Sequence, residues 1–242
     1  MEKIRLQKFF TDNKIMSRRA AERVIEAGNV KINGVTARLG DKVDPHTDVV
    51  SFNGKIIKPI KSNKRYIMLN KPLGYVTTTS DEKGRETVLS LLGDVGERVY
   101  PVGRLDMYSE GLLILTNDGE LTNRLTHPKH HMSKTYSVII KGEISPEALH
   151  KLTSPMEIDG YMLKPVKVRV LSFKNGATNT LFTLNEGRNR QIRKMCENCG
   201  LTIMRLTRIS IGKLKLGDLE RGKWRDLTQN EVDYLCGKSD TI

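Results

Sequence analysis

The stretch that decides the fold is residues 100–119, which read Tyr-Pro-Val-Gly-Arg-Leu-Asp-Met-Tyr-Ser-Glu-Gly-Leu-Leu-Ile-Leu-Thr-Asn-Asp-Gly. From Gly111 to Leu115 there is no polar side chain, so this run predicts a fully apolar strand. Asp106 comes just before this run, in a short polar loop. Because catalytic groups are often loop residues held by a rigid scaffold, we consider Asp106 a candidate catalytic carboxylate.

Strand and helix patterns continue on both sides of this stretch. The runs that predict further strands are residues 66–69, 75–79, 135–141, 166–172, 179–184 and 203–212, with 111–116 as the strand described above. The segments that predict helices are 119–126, 146–153 and 189–199. Since these elements do not alternate strictly as strand and helix, the pattern favours an α+β fold over a doubly wound sheet.

The predicted helix at 189–199 has a readable core face. Ile192, Met195, Cys196 and Cys199 follow helical spacing and should pack inward. Arg193 lies at the flank of this stripe, where an arginine can be half-buried and reach a carboxylate. An arginine paired with a partly buried aspartate would keep that carboxylate ionised, as a nucleophile must be. The pattern therefore makes Arg193 a candidate partner for a carboxylate in a cleft, and it predicts core packing for the two cysteines.

The N-terminal quarter predicts a different kind of unit. Residues 4–13 have apolar side chains at helical spacing, and Ser17 is a typical N-cap for a second helix that ends at Gly28. An alternating strand then runs from Val30 into an Asn-Gly turn. Three arginines lie off the apolar stripe of the second helix and could form a basic face: Arg18, Arg19 and Arg23.

The charge of the chain is uneven. The 242 residues contain 41 Lys+Arg and 28 Asp+Glu, a net charge of +13. Residues 1–65 hold 15 basic and 7 acidic residues, a net of +8, whereas the remaining 177 residues have a net of +5. Such an excess suits a polyanionic partner, because neutralised phosphates release counterions, although a merely soluble basic protein is an alternative. The concentration of charge points to a dedicated binding module.

Residues 1–60 resemble the α-L RNA-binding domain shared by a small-subunit ribosomal protein and tyrosyl-tRNA synthetase. The residues that carry the resemblance are Arg5-Leu6-Gln7-Lys8-Phe9, Ser17-Arg18-Arg19 and Gly28-Asn29-Val30-Lys31-Ile32-Asn33-Gly34. It implies that Arg18 and Arg19 bind RNA. Residues 58–65 are polar and include a proline, which predicts a linker to a second domain at 64–238.

The second domain resembles the pseudouridine synthase superfamily through four motifs in order. They are Leu69-Asn70-Lys71-Pro72, Gly103-Arg104-Leu105-Asp106, Lys134-Thr135-Tyr136 and Gly187-Arg188-Asn189-Arg190-Gln191-Ile192-Arg193. The resemblance implies a mixed, mainly antiparallel sheet with flanking helices. It is strongest with the branch that contains the small-subunit synthase A and the large-subunit synthases B, E and F. Gly187–Gln191 and Leu216–Leu219 look most like type B, which favours large-subunit over small-subunit ribosomal RNA.

The resemblance implies a role for each motif in isomerising a uridine to pseudouridine. Asp106 would be the catalytic carboxylate, Tyr136 would offer an aromatic face to the flipped base, and Arg193 would hold Asp106. Whether Asp106 attacks the sugar or the base stays open. The implied substrate-binding residues of this domain are Arg104, Lys71 and Ile192. No cofactor or metal is expected, because the reaction is a redox-neutral isomerisation.

Several further expectations follow. The partner would be ribosomal RNA as a stem-loop or assembly intermediate, and the protein a cytoplasmic monomer without a membrane span. A non-catalytic ribosome-associated RNA-binding protein is one alternative. A glycosidase or nucleosidase is another, but those enzymes usually place two carboxylates at the scissile bond. The histidines at positions 127, 130 and 131 lack a recognised ligand spacing, so we expect no metal there.

Overall fold

The structure is a computed structural model that describes residues 3–60, 63–127 and 132–242. The chain forms two compact units, Met1–Asn63 and Lys64–Ile242. Residues 61–62 of the predicted linker, and His130 and His131 of the histidine cluster, lie outside the described residues.

The first unit packs two short helices against small antiparallel strands. Its elements are β1 (Ile4–Arg5), α1 (Leu6–Asp12), α2 (Arg18–Glu26), β2 (Val30–Ile32), β3 (Val35–Thr36), β4 (Lys42–Val43), β5 (Val50–Phe52) and β6 (Lys55–Ile56). Four strands form a sheet in the order β3-β2-β5-β6, and β1 pairs with β4. Leu6, Phe9 and Phe10 of α1 are buried in its core, as their spacing predicts. The Ser17 hydroxyl accepts a hydrogen bond from the Ala20 backbone N–H, which confirms the predicted N-cap of α2.

The second unit contains the larger sheet and four helices in its described part. Its elements are β7 (Tyr66–Lys71), β8 (Tyr100–Pro101), β9 (Glu110–Thr116), α3 (Gly119–Thr126), β10 (Lys134–Lys141), α4 (Pro146–Thr153), β11 (Glu157–Ile158), β12 (Tyr161–Met162), β13 (Lys167–Lys174), β14 (Ala177–Leu184), α5 (Gln191–Asn198), β15 (Ile203–Ile211), β16 (Leu214–Lys215), β17 (Trp224–Asp226) and α6 (Gln229–Cys236). This is the α+β architecture that the sequence predicts.

A nine-stranded sheet runs through the described part of this unit in the order β13-β14-β10-β15-β9-β7-β17, with β8 on β9 and β16 on β15. Its strand pairs are antiparallel except for β9 and β15, which lie side by side in parallel. Every residue of β9 is buried. Leu112 and Ile114 enter the core with α3 and α6, while Leu113 and Leu115 enter the core beneath residues 88–105. The apolar run quoted first is therefore a strand buried on both faces.

The parallel contact between β9 and β15 depends on Gly111. Gly111 lies opposite Arg208 and has a φ of +102°, a region that side chains rarely allow. A Cβ placed on Gly111 would lie 2.2 Å from the carbonyl oxygen of Arg208 and 2.8 Å from its nitrogen. Because both atoms belong to backbone, no side-chain movement could relieve the clash. Only glycine therefore allows the two strands to approach this closely.

One predicted strand, residues 75–79, is wrong. This segment is a loop with a single bridge between Val76 and Thr87. Its backbone has other partners, since the Val76 N–H donates to the Glu86 carbonyl and the Thr77 hydroxyl donates to Leu105. The predicted helix at 189–199 begins only at Gln191. Arg190 has a left-handed φ of +51°, so residues 189 and 190 cannot belong to the right-handed helix.

In residues 3–60, 63–127 and 132–242, no helix is long and apolar enough to cross a membrane.

Replacing Gly111 with alanine tests the contact between β9 and β15. The added methyl group would clash with Arg208 backbone and strain a positive φ, so we expect Gly111→Ala to lower the free energy of unfolding by about 3 kcal/mol. Urea unfolding followed by circular dichroism measures the change. Gly187→Ala is the control, because Gly187 has open space around it, and should change stability by less than about 0.5 kcal/mol. Equal effects of the two substitutions would contradict the role of Gly111.

Candidate active site

The loop that carries Asp106 is held through its backbone. The Thr77 hydroxyl donates to the Leu105 carbonyl at 2.7 Å, and the Gly74 N–H donates to the Met107 carbonyl at 2.9 Å. Within the loop, the Ser109 N–H donates to the Asp106 carbonyl at 3.0 Å. These bonds use main-chain atoms, so they fix the position of the Asp106 side chain without occupying its carboxylate.

Lys71, the last residue of β7, supports this loop from the protein interior. Its side chain is 0% exposed, and its ammonium donates to the carbonyls of Pro72, Asp106 and Ser109 at 2.9, 3.1 and 2.9 Å. Burial lowers the pKa of Lys71 to about 8, against the opposing effect of the nearby negative charges of Asp106 and Glu110. These contacts differ from the exposed position that the expected role of Lys71 in binding substrate would require. A fully buried ammonium with three carbonyl partners is placed to position the loop that carries Asp106.

A cavity of about 410 Å³ opens beside Asp106. This volume lies within the range of about 300–1,000 Å³ that small-molecule pockets occupy. Four of the predicted site residues line it: Arg104, Asp106, Tyr136 and Ile192. They come from the loop before β9, from β10 and from the first turn of α5, so the tertiary structure brings three of the four sequence motifs together.

Tyr136 forms a half-buried wall of this cavity. It lies on β10 opposite Phe182 of β14 and Arg208 of β15, and it packs against two of the apolar cores at once. Ile192 is almost fully buried and contributes an apolar surface to the same cavity. An aromatic ring and an aliphatic side chain that border one cavity are suited to hold a flat ring such as a nucleobase.

Arg193 contacts the loop that carries Asp106, but not through the expected pair with the Asp106 carboxylate. Its Nη2 donates to the Tyr108 carbonyl at 2.5 Å and to the Ser109 hydroxyl at 3.4 Å. Among the described residues it makes no ion pair with Asp106, so the expected pair is not observed. Burial lowers the pKa of Arg193, the neighbouring positive charge of Arg190 adds to this, and the negative charge of Asp106 opposes both. Arg193 therefore holds the loop two and three residues beyond Asp106 and supplies positive potential at a distance.

Two further cations line the cavity. Neither was identified as a site residue from the sequence. Arg208 is only 5% exposed, and its Nε donates to the Leu112 carbonyl at 2.7 Å. Its Nη2 has no hydrogen-bond partner among the described residues. Lys134 is half-buried, and burial and the positive charge of Arg208 both lower its pKa. Alternation along β15 gives Leu206 and Arg208 the same buried face, and an arginine on such a face is the signal that could have identified it.

Exposed cations surround the opening of the cavity. Arg104, Arg188 and Arg190 line it and are exposed to solvent. The guanidinium carbon of Arg188 lies 3.0 Å from the centre of the Tyr161 ring, a cation–π contact. The cavity thus has one carboxylate, two inner cations and an outer group of arginines.

The cysteines of α5 pack as predicted. Cys196 is buried, and burial raises the pKa of its thiol to about 12. Cys199 packs against the same core. In the part of the chain that the structure describes, no three His, Cys, Asp or Glu side chains are grouped to hold a metal ion.

A carboxylate on a well-held loop, beside an aromatic side chain and several arginines, is the arrangement expected of an enzyme that acts on a polyanionic substrate. Comparison with known proteins gives the family. The model of the RNA pseudouridylate synthase family matches residues 65–198, and the model of the S4 domain matches residues 4–49. The chain therefore belongs to the RNA pseudouridylate synthase family and is an RNA pseudouridine synthase with an N-terminal S4 domain.

Relatives of this chain agree with the family. It is 38% identical to the ribosomal large subunit pseudouridine synthase B of Bacillus subtilis (strain 168), over 98% of this chain and 97% of that protein. It is also 38% identical to the dual-specificity RNA pseudouridine synthase RluF of Escherichia coli (strain K12), over 95% of this chain and 77% of that protein. A crystal structure of a pseudouridylate synthase superposes with a TM-score of 0.69 and 31% identity, covering 96% of this chain and 99% of the other.

The pH dependence of stability tests the burial of Lys71. The folded protein releases this proton near pH 8, whereas an unfolded lysine keeps it to about 10.5. Between these values the unfolded state binds more protons, so the free energy of unfolding should rise with pH, by up to about 3 kcal/mol from this group. Wild type and Lys71→Met are compared by urea unfolding across this range.

We expect the stability of wild type relative to Lys71→Met to increase as the pH rises. The exposed Lys141 serves as the control, and the stability of wild type relative to Lys141→Met should stay constant. A constant difference for both variants would show that the Lys71 ammonium is not desolvated.

Proposed function

We propose that this protein converts a uridine of large-subunit ribosomal RNA to pseudouridine, with Asp106 as the catalytic carboxylate. The observation that carries the proposal is the position of Asp106, which lines the cavity with Tyr136 while its loop is held mainly through backbone atoms. Preference for the large subunit rests on similarity to the Bacillus subtilis synthase over nearly the full length of both chains.

The reaction breaks the bond between N1 of uracil and C1′ of ribose, turns the base and rejoins it through C5. The uridine must leave its stack to reach an enclosed carboxylate, so we propose that the enzyme flips the nucleotide into the cavity. Tyr136 would then stack on the uracil ring, an interaction worth about 1–3 kcal/mol. Ile192 would contact the ring from another wall, and exposed Arg104 would bind the RNA backbone at the opening.

The N-terminal unit would supply most of the sequence-independent affinity. Arg18 and Arg19 are exposed in the first turn of α2, where backbone N–H groups and the helix dipole already favour an anion. We propose that both arginines bind phosphates of an RNA stem-loop or an assembly intermediate. We further propose that the protein works in the cytoplasm as a monomer without a cofactor.

A second candidate function is action on more than one RNA. It is favoured by the similarity to the Escherichia coli relative, which is named as dual-specificity. Mapping pseudouridines in large-subunit rRNA, small-subunit rRNA and tRNA transcripts after incubation with the enzyme distinguishes these possibilities.

Substitution of Asp106 tests the catalytic assignment. Asp106→Asn keeps the size of the side chain but removes the negative charge, so we expect pseudouridine formation to fall by more than about 1,000-fold while the Kd for RNA changes less than about threefold. Tritium release from C5-labelled RNA measures turnover. The control is Asp240→Asn, an exposed position near the C-terminus, which should retain full activity. Appreciable turnover by Asp106→Asn would contradict the proposal.

Salt dependence tests the role of α2. If Arg18 and Arg19 each neutralise a phosphate, the double substitution to glutamine should weaken RNA binding and reduce the slope of log K against log salt by about 1.5 to 2. Titrations at several salt concentrations measure this slope. The matched control changes both residues to lysine, which keeps the charges and should keep the slope. An unchanged slope in the glutamine variant would mean that RNA contacts another surface.

A further inference from the structure

Lys134 and Arg208 form a pair of neighbouring cations on the inner wall of the cavity. They lie on the adjacent strands β10 and β15, close enough for the charge of Arg208 to affect Lys134. In the described part of the chain, neither residue forms an ion pair with a carboxylate, and Arg208 Nη2 has no hydrogen-bond partner. Placing two like charges together away from water is unfavourable unless a negative charge joins them. This arrangement therefore indicates that the substrate supplies negative charge here.

Exposure distinguishes these cations from the arginines at the opening. Arg104, Arg188 and Arg190 are exposed, whereas Lys134 is half-buried and Arg208 is 5% exposed. A flipped nucleotide enters a cavity base first, and its phosphates stay with the RNA backbone outside. Phosphates are therefore matched to the exposed arginines. The part of the substrate that reaches Lys134 and Arg208 is the uracil ring.

We propose that Lys134 and Arg208 stabilise the negative charge that uracil acquires when its glycosidic bond breaks. This inference rests on the proposed function, because it concerns the uridine bound beside Asp106. When the N1–C1′ bond breaks, the electron pair stays on uracil, and the negative charge spreads over N1 and the two carbonyl oxygens. Lys134 and Arg208 are hydrogen-bond donors with full positive charge, so each would contact a uracil carbonyl oxygen and be a catalytic residue.

The proposed step is balanced. When the electron pair leaves with N1, C1′ becomes an electron-deficient centre beside the negative charge of Asp106. The uracil anion turns so that C5 faces C1′, and C5 then donates a pair of ring electrons to C1′ to form the new carbon–carbon bond. C5 afterwards loses its proton to solvent or a base, and N1 gains one, so the product is an isomer of the starting nucleotide. Lys134 and Arg208 neither gain nor lose a proton in this sequence.

The inner cations are also positioned before the substrate binds. The Nε of Arg208 is already bonded to the Leu112 carbonyl, which fixes the guanidinium before the substrate arrives. The backbone of Lys134 is held at the start of β10 by its pairing with β14 and β15. Donors that are already oriented toward developing charge are worth about 100- to 1,000-fold in rate when one is removed. We therefore expect the loss in the chemical step rather than in RNA affinity.

The first experiment compares full-length wild type with Lys134→Met under single-turnover conditions, on an rRNA transcript that wild type modifies. We expect the rate constant to fall by about 100-fold, while the Kd for this RNA changes less than about threefold. Lys141→Met, at the other end of the same strand, is the control and should match wild type in both measurements. A loss confined to Kd would mean that Lys134 binds a phosphate, and it would overturn the proposal.

The second experiment uses RNA in which 5-fluorouridine replaces uridine. Fluorine makes uracil a better leaving group, so cleavage should depend less on the two cations. Liquid chromatography coupled to mass spectrometry separates 5-fluorouridine from its products in nuclease digests, and it follows the loss of 5-fluorouridine in a single turnover. We expect Lys134→Met to be impaired at least tenfold less on this RNA than on the uridine RNA. Equal impairment on both substrates would overturn the proposal.

Arg208→Gln tests the second cation, with circular dichroism as a check because Arg208 also holds β9. If the variant is folded, it should show the same larger loss on uridine RNA; equal losses on both RNAs would exclude Arg208 from this role. If it does not fold, the Lys134 result decides the proposal. Should wild type modify none of the RNAs, the proposed function itself fails, which is distinct from an active wild type with a fully active Lys134→Met.

Discussion

The parallel contact between β9 and β15 is the constraint on which the rest of the second unit depends. It joins five strands on one side of the sheet, β13, β14, β10, β15 and β16, to four on the other, β9, β7, β17 and β8. The contact is possible only because Gly111 carries no side chain. The same contact places Arg208 beside the strand that follows the Asp106 loop. Glu110 is buried next to Gly111 and forms ion pairs with Arg205 and Arg221. These ion pairs add to the contacts where β9 meets β15. A backbone approach of a few ångströms thus positions the whole cavity.

The cations around this junction differ in how deeply they are buried. Lys71 lies in the interior and binds only carbonyl oxygens, while Arg193 binds the loop backbone near the surface of α5. Both residues fix the loop and leave the Asp106 carboxylate available, which a direct ion pair would not do. In the proposed mechanism, arginines at the opening would bind the phosphates of RNA, and the inner cations would bind the base. Similar side chains would then serve different purposes because their distances from water differ.

The family also explains why the site contains a single carboxylate. An isomerisation transfers the base from one bond to another on the same sugar, so no second acid is required to activate water, as hydrolysis would demand. In the proposed reaction the Asp106 carboxylate would instead be held in a fixed position while the base turns. The several hydrogen bonds to the loop of residues 105–109, from β7, from residues 74–77 and from α5, meet this requirement.

The sequence by itself determined the family, through the order of its four motifs, and the α+β class and the inward face of α5, through short-range periodicity. The sequence also predicts Asp106 as the catalytic carboxylate, which remains a prediction. It failed at residues 75–79, where side-chain and loop hydrogen bonds outweighed strand propensity. Only the tertiary structure decided that Lys71 is buried, that Arg193 binds the loop backbone, and that Arg208 lies on the cavity wall. Arg208 and the Leu112 carbonyl that it binds are 96 positions apart. Such long-range contacts depend on strand register across the sheet, which the local sequence pattern does not specify.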